Sequence, residues 1–212
     1  KYRVWLLDNA NQEILKTLDT DGIYYEVDLS DIYDKALNTG WNWFSLNMTN
    51  DDMSLDNILS SLSDAAIEND YIKNQSSYAT YYVGFGWFGT FSTFDNTSMY
   101  KIEISNPGNI TYEGVEVDVA NTSIGISSGW NWISFLPQES MDITYALTSI
   151  DESGEYIKSQ GGYADYYSGF GWFGSISELL PRDGYMLEAV SSATLTYPES
   201  GSLQQSNNDY LN

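Results

Sequence analysis

The sequence predicts an α+β fold dominated by β-structure, in which two tandem copies of a small antiparallel-sheet unit follow an N-terminal β-hairpin. Long segments of the 212-residue chain occur twice, as they do in proteins built from a repeated structural unit. Within each copy, short runs of aromatic and β-branched residues are separated by Gly, Asn, Ser and Asp, which is typical of strands joined by turns. One segment per copy has apolar residues at helical spacing, so we expect one helix in each unit.

The repeat divides the chain into four parts. Residues 1–22 are the N-terminal hairpin or the end of a preceding module, residues 23–113 the first unit, residues 114–199 the second unit and residues 200–212 a polar tail. The two units differ in length only around the helix and the loop after it, where length changes cost little. Positions kept in both units are those that the fold, or a duplicated site, requires.

Five segments of the first unit return in the second. The pairs are GWNWFS at Gly40–Ser45 with GWNWIS at Gly129–Ser134, MSLDNILSSL at Met53–Leu62 with MDITYALTSI at Met141–Ile150, YIKNQSSYATYYVGFGWFGTF at Tyr71–Phe91 with YIKSQGGYADYYSGFGWFGSI at Tyr156–Ile176, MYKIEIS at Met99–Ser105 with GYMLEAV at Gly184–Val190, and ITYE at Ile110–Glu113 with LTYP at Leu195–Pro198.

The N-terminal part is predicted to be a hairpin because two apolar runs flank Asp8–Asn11, whose polar residues favour a turn. The sequence IYYE at Ile23–Glu26 is interpreted as an earlier copy of the strand ITYE. The chain begins within a strand-like pattern, which indicates a segment of a longer protein.

The GWNW segments are predicted strands because they alternate and are rich in aromatic residues. Trp41 and Trp43, like the tryptophans of the second copy, lie two residues apart and therefore on one face of the strand. Two interpretations stay open: the tryptophans pack beneath the helix, or they form an aromatic platform for sugar rings or a partner. Asn42 and Asn131 lie on the opposite face, where we expect them to bond turn backbone.

The helix of each unit is predicted from apolar spacing and from its first residue. It covers Ser54–Leu62 in the first unit and Asp142–Ile150 in the second, and Ser54 and Asp142 are favourable N-cap residues. We expect this helix to bury Leu59, and Leu147 in the second unit, against the sheet. Short strands follow the first helix at Tyr71–Gln75, Ser77–Val83, Trp87–Phe91 and Tyr100–Ser105.

The hexapeptide GFGWFG carries more aromatic residues than a turn needs. Its glycines permit a tight hairpin with positive φ. Consecutive residues of a strand face opposite sides, so either Trp87 or Phe88 is expected on the outer face. An exposed large aromatic residue usually marks a contact surface. The predicted contact residues are Phe85, Trp87 and Phe88 in the first copy and Phe170, Trp172 and Phe173 in the second.

Two lysines and two glutamines are also kept in both copies, in YIKNQ and YIKSQ. Lys73 corresponds to Lys158, and Gln75 corresponds to Gln160. One interpretation is structural, with the lysine stem covering the sheet while its ammonium group meets a carboxylate. The other is a polar clamp that donates hydrogen bonds to a ligand beside the aromatic loop.

Composition excludes several classes of function. The chain has 30 acidic and 8 basic residues, for a net charge of −22. This charge repels nucleic-acid phosphates and anionic membrane surfaces, and no apolar run is long enough for membrane insertion. Histidine and cysteine are absent, which removes the commonest general base, the commonest zinc ligand and all disulfides.

Catalysis and metal binding have weak support in the sequence, so we expect no enzyme and no cofactor. Of the acidic residues, Glu103 and Glu188 are the best-matched pair between the copies. Asp19 and Asp21 fit a calcium loop poorly, because its first position is not Asp and Asp28 rather than Glu would close it. Diffuse binding of Ca²⁺ to the acidic surface is the expected alternative to a specific site.

GWNWFSL, GFGWFG and the closing GYML resemble a repeat of large secreted or cell-surface proteins of marine bacteria and some marine algae. The resemblance covers about Ile23–Glu199, and the first copy departs from it with Ser98–Tyr100 where Gly-Tyr is usual. It implies a modular, non-enzymatic protein that forms extracellular assemblies. The expected partners are copies of this chain or adjacent modules of the same assembly, and the alternative is a carbohydrate-binding module that holds surface glycans.

Overall fold

A computed structural model describes the strands Arg3–Leu7 and Glu13–Thr17 and residues 31–199. The chain divides into two compact parts, which differ from the repeat units: the N-terminal part ends at Ser30 and the main part begins at Asp31. In the N-terminal part, β1 (Arg3–Leu7) pairs antiparallel with β2 (Glu13–Thr17). The predicted strand Ile23–Glu26, the calcium candidates Asp19, Asp21 and Asp28, and the predicted polar tail over 200–212 lie outside the described residues.

The main part, which begins at Asp31, consists of short strands with two short helices. Up to residue 116 its elements are β3 (Asp31–Leu37), β4 (Gly40–Ser45), β5 (Met48–Thr49), α1 (Leu55–Ile58), β6 (Tyr71–Lys73), β7 (Tyr78–Tyr82), β8 (Gly86–Gly89), β9 (Met99–Ile104) and β10 (Gly108–Glu116). They are followed by β11 (Ile124–Ile126), β12 (Gly129–Ser134), β13 (Met141–Asp142), α2 (Ile143–Ala146), β14 (Gly154–Lys158), β15 (Tyr163–Tyr167), β16 (Gly171–Gly174), β17 (Glu178–Leu179), β18 (Gly184–Ala189) and β19 (Ala193–Leu195).

Two five-stranded antiparallel sheets form the framework of the main part, so the predicted dominance of β-structure is confirmed. The first sheet has the strand order β4-β9-β6-β7-β8, and the second has the order β12-β18-β14-β15-β16. Shorter ladders join β3 and β5 to β10, β11 to β19, and β13 to β17. All strand pairs are antiparallel, as expected for strands joined by short turns.

The helices are shorter than the sequence predicts. The Ser54 side chain accepts a hydrogen bond from the backbone N–H of Asn57, so α1 has the predicted N-cap. The α-helical part ends before Leu59, and a 3-10 turn over Ser60–Leu62 follows. Ser60 and Ser61 have a low helix propensity, which favours this early end of the α-helix. The second helix repeats this pattern, with Asp142 accepting from two backbone N–H groups and a 3-10 turn over Thr148–Ile150.

Each helix packs on the inner face of its own sheet. Leu59 and Leu147 are both fully buried, as predicted. The first sheet contributes Phe44, Ile72 and Ile102 to one hydrophobic core. The second sheet contributes Ile133, Ile157 and Leu187 to a separate core. The two sheets are therefore each stabilised by their own buried apolar side chains.

The tryptophans of the GWNW strands face away from these cores, so the interpretation that they pack beneath the helix is wrong. Phe44 and Asn42 take the inner face of β4, which leaves Trp41 and Trp43 on the outer face. The Asn42 amide donates to the carbonyl oxygens of Asn38 and Gly40 and accepts from the N–H of Asn38. The buried amide thus bonds the turn backbone, as expected.

Candidate contact surface and sheet junction

The hexapeptide forms the tip of the hairpin between β7 and β8. Gly84 and Gly86 have φ values of +80° and +93°, which favour glycine over residues with a side chain. Between them, the Phe85 side chain is 77% exposed, and Phe170 in the second sheet is 80% exposed. A large apolar ring in water at both tips is unusual for a turn, because the turn itself needs only the glycines.

The two aromatic residues after the tip divide between the faces of the sheet. Trp87 is 8% exposed and belongs to the core, whereas Phe88 is 53% exposed on the outer face. In the second sheet, Trp172 is 5% exposed and Phe173 is 55% exposed. Of the predicted contact residues, the phenylalanines are therefore accessible at the surface, and the tryptophans hold the strand on the core.

Phe88 belongs to a row of side chains that crosses all five strands of the first sheet, and we call this row and its counterpart the outer rows. The strand register places Trp41 opposite Glu103, Glu103 opposite Tyr71, Tyr71 opposite Thr80 and Thr80 opposite Phe88. The outer row of the second sheet consists of Trp130, Glu188, Tyr156, Asp165 and Phe173. Each outer row therefore combines three aromatic rings with polar side chains.

The rings of the outer rows contact one another and their neighbours. Trp41 meets Tyr71 edge-on at 6.1 Å between ring centroids, and Tyr71 stacks on Tyr78 at 5.7 Å. In the second sheet, Tyr156 makes the corresponding contacts with Trp130 and Tyr163 at 6.0 and 5.9 Å. These contacts orient the rings relative to one another without any partner.

Gln75 and Gln160 bind the chain itself, each holding the edge strand of the opposite sheet. Gln75 Nε2 donates to the carbonyl oxygen of Trp130 at 2.7 Å, and its Oε1 accepts from the N–H of Trp132 at 2.8 Å. Gln160 makes the same two bonds to Trp41 and Trp43, also at 2.7 and 2.8 Å. Both amides are thus used to join the sheets at what we call the sheet junction.

Further backbone hydrogen bonds close the sheet junction from both sides. The N–H of Ser45 donates to the carbonyl oxygen of Arg182, and the N–H of Ser134 donates to that of Thr97. Beside β4, an ion pair joins Lys35 to Asp183. The junction is therefore built from matched polar contacts contributed by each sheet.

Three lysines converge at the sheet junction, where we call them the lysine cluster: Lys73, Lys101 and Lys158. Lys101 Nζ lies 3.7 Å from the ring centroid of Trp43 and 4.3 Å from that of Trp132, on the opposite sheet. Lys73 Nζ lies 5.1 Å from the Trp41 ring and 6.0 Å from the Trp132 ring. Lys158 Nζ lies 4.5 Å from the Trp130 ring. The electron-rich ring faces therefore surround the ammonium groups.

The cluster changes the acidity of its central member. Burial, followed by the charges of Lys73 and Lys158, lowers the pKa of Lys101 from 10.5 to about 8. The ammonium group of Lys101 is thus held in an unfavourable environment at neutral pH, which the surrounding tryptophan rings only partly compensate.

The described residues contain neither a membrane helix nor a metal cluster. No helix among them has the length and apolar character needed to cross a membrane. Across the two N-terminal strands and residues 31–199, no three acidic side chains come together in a way that could hold a metal ion. No family model, curated protein or solved structure matches this chain. Its function is therefore inferred from the geometry of the outer rows and the sheet junction.

Sequence reasoning missed two parts of this arrangement. Repetition does not indicate Lys101 as a site residue, because the second copy has Met186 at the corresponding position. The outer rows were missed because they join residues from five strands, and only the strand register shows that these residues lie side by side. The sequence feature that points to the outer rows is the repetition of Trp41, Tyr71 and Phe88 in the second copy.

Proposed function

We propose that this chain is a non-enzymatic structural or adhesive module, which acts through contacts made by its two outer rows and hairpin tips. We further propose that residues 23–199 are two tandem copies of one unit, that the parent protein is secreted or exposed at the cell surface, and that it uses no cofactor. The partners are copies of this chain, adjacent modules of the same assembly, or a surface.

One observation carries the proposal: the same large aromatic residues are exposed in both halves. Phe85 and Phe88 project into solvent from the first sheet, as do Phe170 and Phe173 from the second. Tyr82 and Tyr167 stand beside them, with ring centroids 6.3 and 5.9 Å from Phe88 and Phe173. Two equivalent surfaces within one compact part of the chain allow two simultaneous contacts, which strengthens binding through effective concentration.

The same strand order in both sheets supports the tandem-copy part of the proposal. Corresponding residues also pair in register: Tyr71 opposes Thr80 in the first sheet, and Tyr156 opposes Asp165 in the second. Tyr100 and Tyr185 accept hydrogen bonds from equivalent loop N–H groups, both at 2.7 Å.

Binding of surface glycans is the second candidate function, and the polar members of the outer rows favour it. Glu103 lies between Trp41 and Tyr71, and Glu188 and Asp165 flank Tyr156. Aromatic rings bury the apolar faces of sugars, while carboxylates accept hydrogen bonds from sugar hydroxyls.

The test replaces Phe88 and Phe173 together with serine. The rings are exposed and outside the core, so we expect the circular dichroism spectrum to stay unchanged while self-association or retention on polysaccharides is lost. Sedimentation velocity measures association, and a panel of immobilised polysaccharides measures retention. Ile32→Ser is the matched control, because Ile32 is a similarly exposed apolar residue on β3. Association and retention equal to those of the unmodified chain would refute the proposal.

A further inference from the structure

Within residues 31–199, the basic residues of this acidic protein lie at the sheet junction. They are Lys35, Lys73, Lys101, Lys158 and Arg182. Lys35 pairs with Asp183, and the backbone of Arg182 bonds Ser45 across the junction. The remaining three form the lysine cluster. In this part of the chain, positive charge is therefore gathered at the sheet junction, although the net charge of the whole chain is −22.

The lysine cluster brings like charges together without a carboxylate partner. Lys73 lies directly opposite Lys101 in the antiparallel pairing of β6 and β9, an arrangement that is destabilising for two ammonium groups. Lys158 approaches from the second sheet, close enough for its charge to act on Lys101. In the described part of the chain, none of the three forms an ion pair. An acidic ligand would relieve this repulsion.

The immediate surroundings of the cluster are suited to a sugar. Trp41 and Trp130, which contact Lys73 and Lys158, are each more than a third exposed. Each also packs edge-on against a tyrosine, so the tryptophan faces are held in fixed orientations. Such faces stack on the C–H groups of a sugar ring. A long polyanion is disfavoured here because the remaining surface of the chain is strongly acidic.

We propose that the lysine cluster binds the acidic group of a sugar, either a carboxylate or a sulfate ester, while Trp41 or Trp130 stacks on the sugar ring. The ammonium groups of Lys73, Lys101 and Lys158 supply hydrogen-bond donors and positive charge to one oxyanion. This site shares Trp41 and Trp130 with the outer rows but uses neither the hairpin tips nor Phe88 and Phe173, so binding of the acidic group can be tested apart from the proposed contact function.

The second copy supplies a natural substitution for the central lysine. Met186 occupies the position of Lys101, and Lys101 Nζ donates to Met186 Sδ at 3.2 Å. A lysine at both positions would place two ammonium groups against each other at the centre of the junction. Methionine has similar length without the charge, so Lys101→Met is expected to keep the fold.

The test is isothermal titration calorimetry of the full chain with four probes: glucuronate, galactose 6-sulfate, glucose and sodium sulfate. We expect at least one acidic sugar to bind at least tenfold more tightly than both glucose and sodium sulfate. Lys101→Met and the double variant Lys73→Met/Lys158→Met should each weaken this binding at least tenfold. Lys35→Met is the control for the lost charge, because it removes a junction lysine outside the cluster.

The outcomes separate the parts of the inference. Equal affinity for sodium sulfate and the acidic sugars would show a simple anion site and overturn the sugar assignment. Absence of binding, or binding unchanged in a folded Lys101→Met variant, would overturn the site itself. Circular dichroism of each variant establishes folding. The lysine variants leave Phe88 and Phe173 unchanged, and the Phe88 and Phe173 variants leave the lysine cluster unchanged, so the failure of one proposal is distinguishable from the failure of the other.

Discussion

Removal of the Gln75 side chain should destabilise the sheet junction by a measurable and predictable amount. Gln75→Ala deletes two hydrogen bonds, to the carbonyl oxygen of Trp130 and from the N–H of Trp132. An intramolecular hydrogen bond contributes about 0.5–1.5 kcal/mol net, and Gln75 is exposed, so water partly replaces the lost partners. We expect the free energy of unfolding to fall by about 1–2 kcal/mol.

The second copy allows an independent measurement of the same quantity. Gln160→Ala deletes the equivalent bonds to Trp41 and Trp43 and should have an effect of the same size. The double variant should lose the sum of the single effects, about 2–4 kcal/mol, if the two amides act independently.

Urea unfolding followed by tryptophan fluorescence provides the assay. Ser76→Ala is the control, because Ser76 lies in the same exposed turn and its side chain makes no hydrogen bond within the described residues. A change below about 0.5 kcal/mol in both glutamine variants would refute the reasoning, since surface substitutions without a structural role fall within that range. Two separate transitions in the double variant would show that the sheets unfold one after the other.

Two further predictions concern the cores and the lysine cluster. Leu59→Ala and Leu147→Ala should each lower the free energy of unfolding by about 2–5 kcal/mol, because both side chains are fully buried. A loss below about 1 kcal/mol in denaturant titrations would contradict their burial. Stability should rise with pH from about 8 towards 10, because the lowered pKa of Lys101 means that the folded state releases this proton before the unfolded state does. Above pH 10 stability should fall, because burial raises the pKa values of Tyr33 and Tyr197 and the unfolded state then loses their protons first. Thermal melts of Lys101→Met across this range should lack the rise, and an identical rise in that variant would exclude Lys101 as its source.

The sequence was sufficient for features that depend on local pattern. Ser54 and Asp142 cap their helices because a capping side chain acts on backbone only two or three residues away. Leu59 was placed in the core by helical spacing, and Phe88 was among the residues expected at the surface because strands alternate. These inferences need no knowledge of distant parts of the chain.

Features that depend on distant residues were not predictable in the same way. Alternation predicts that Trp41 and Trp43 share one face of the strand, but it does not say whether that face is the inner or the outer one. In the structure, Phe44 on the opposite face of the strand packs in the core. Gln75 was recognised as a kept residue, yet its partners Trp130 and Trp132 lie on the opposite sheet. No local pattern records such a contact, because it arises only when the two sheets meet.

The carboxylate of Asp56 has a consequence for how this protein can associate. Strand β8 is the last strand of the first sheet, and the backbone N–H of Trp87 points away from β7 and donates to Asp56 Oδ1 at 3.2 Å. Gly86 leaves room for this approach, because a Cβ there would stand 2.7 Å from the same oxygen. An unpaired edge invites strands of other molecules to add and extend the sheet towards aggregation. With that amide occupied and a negative charge beside it, growth by strand addition is disfavoured at the edge of the first sheet, which carries the first copy of the aromatic hexapeptide.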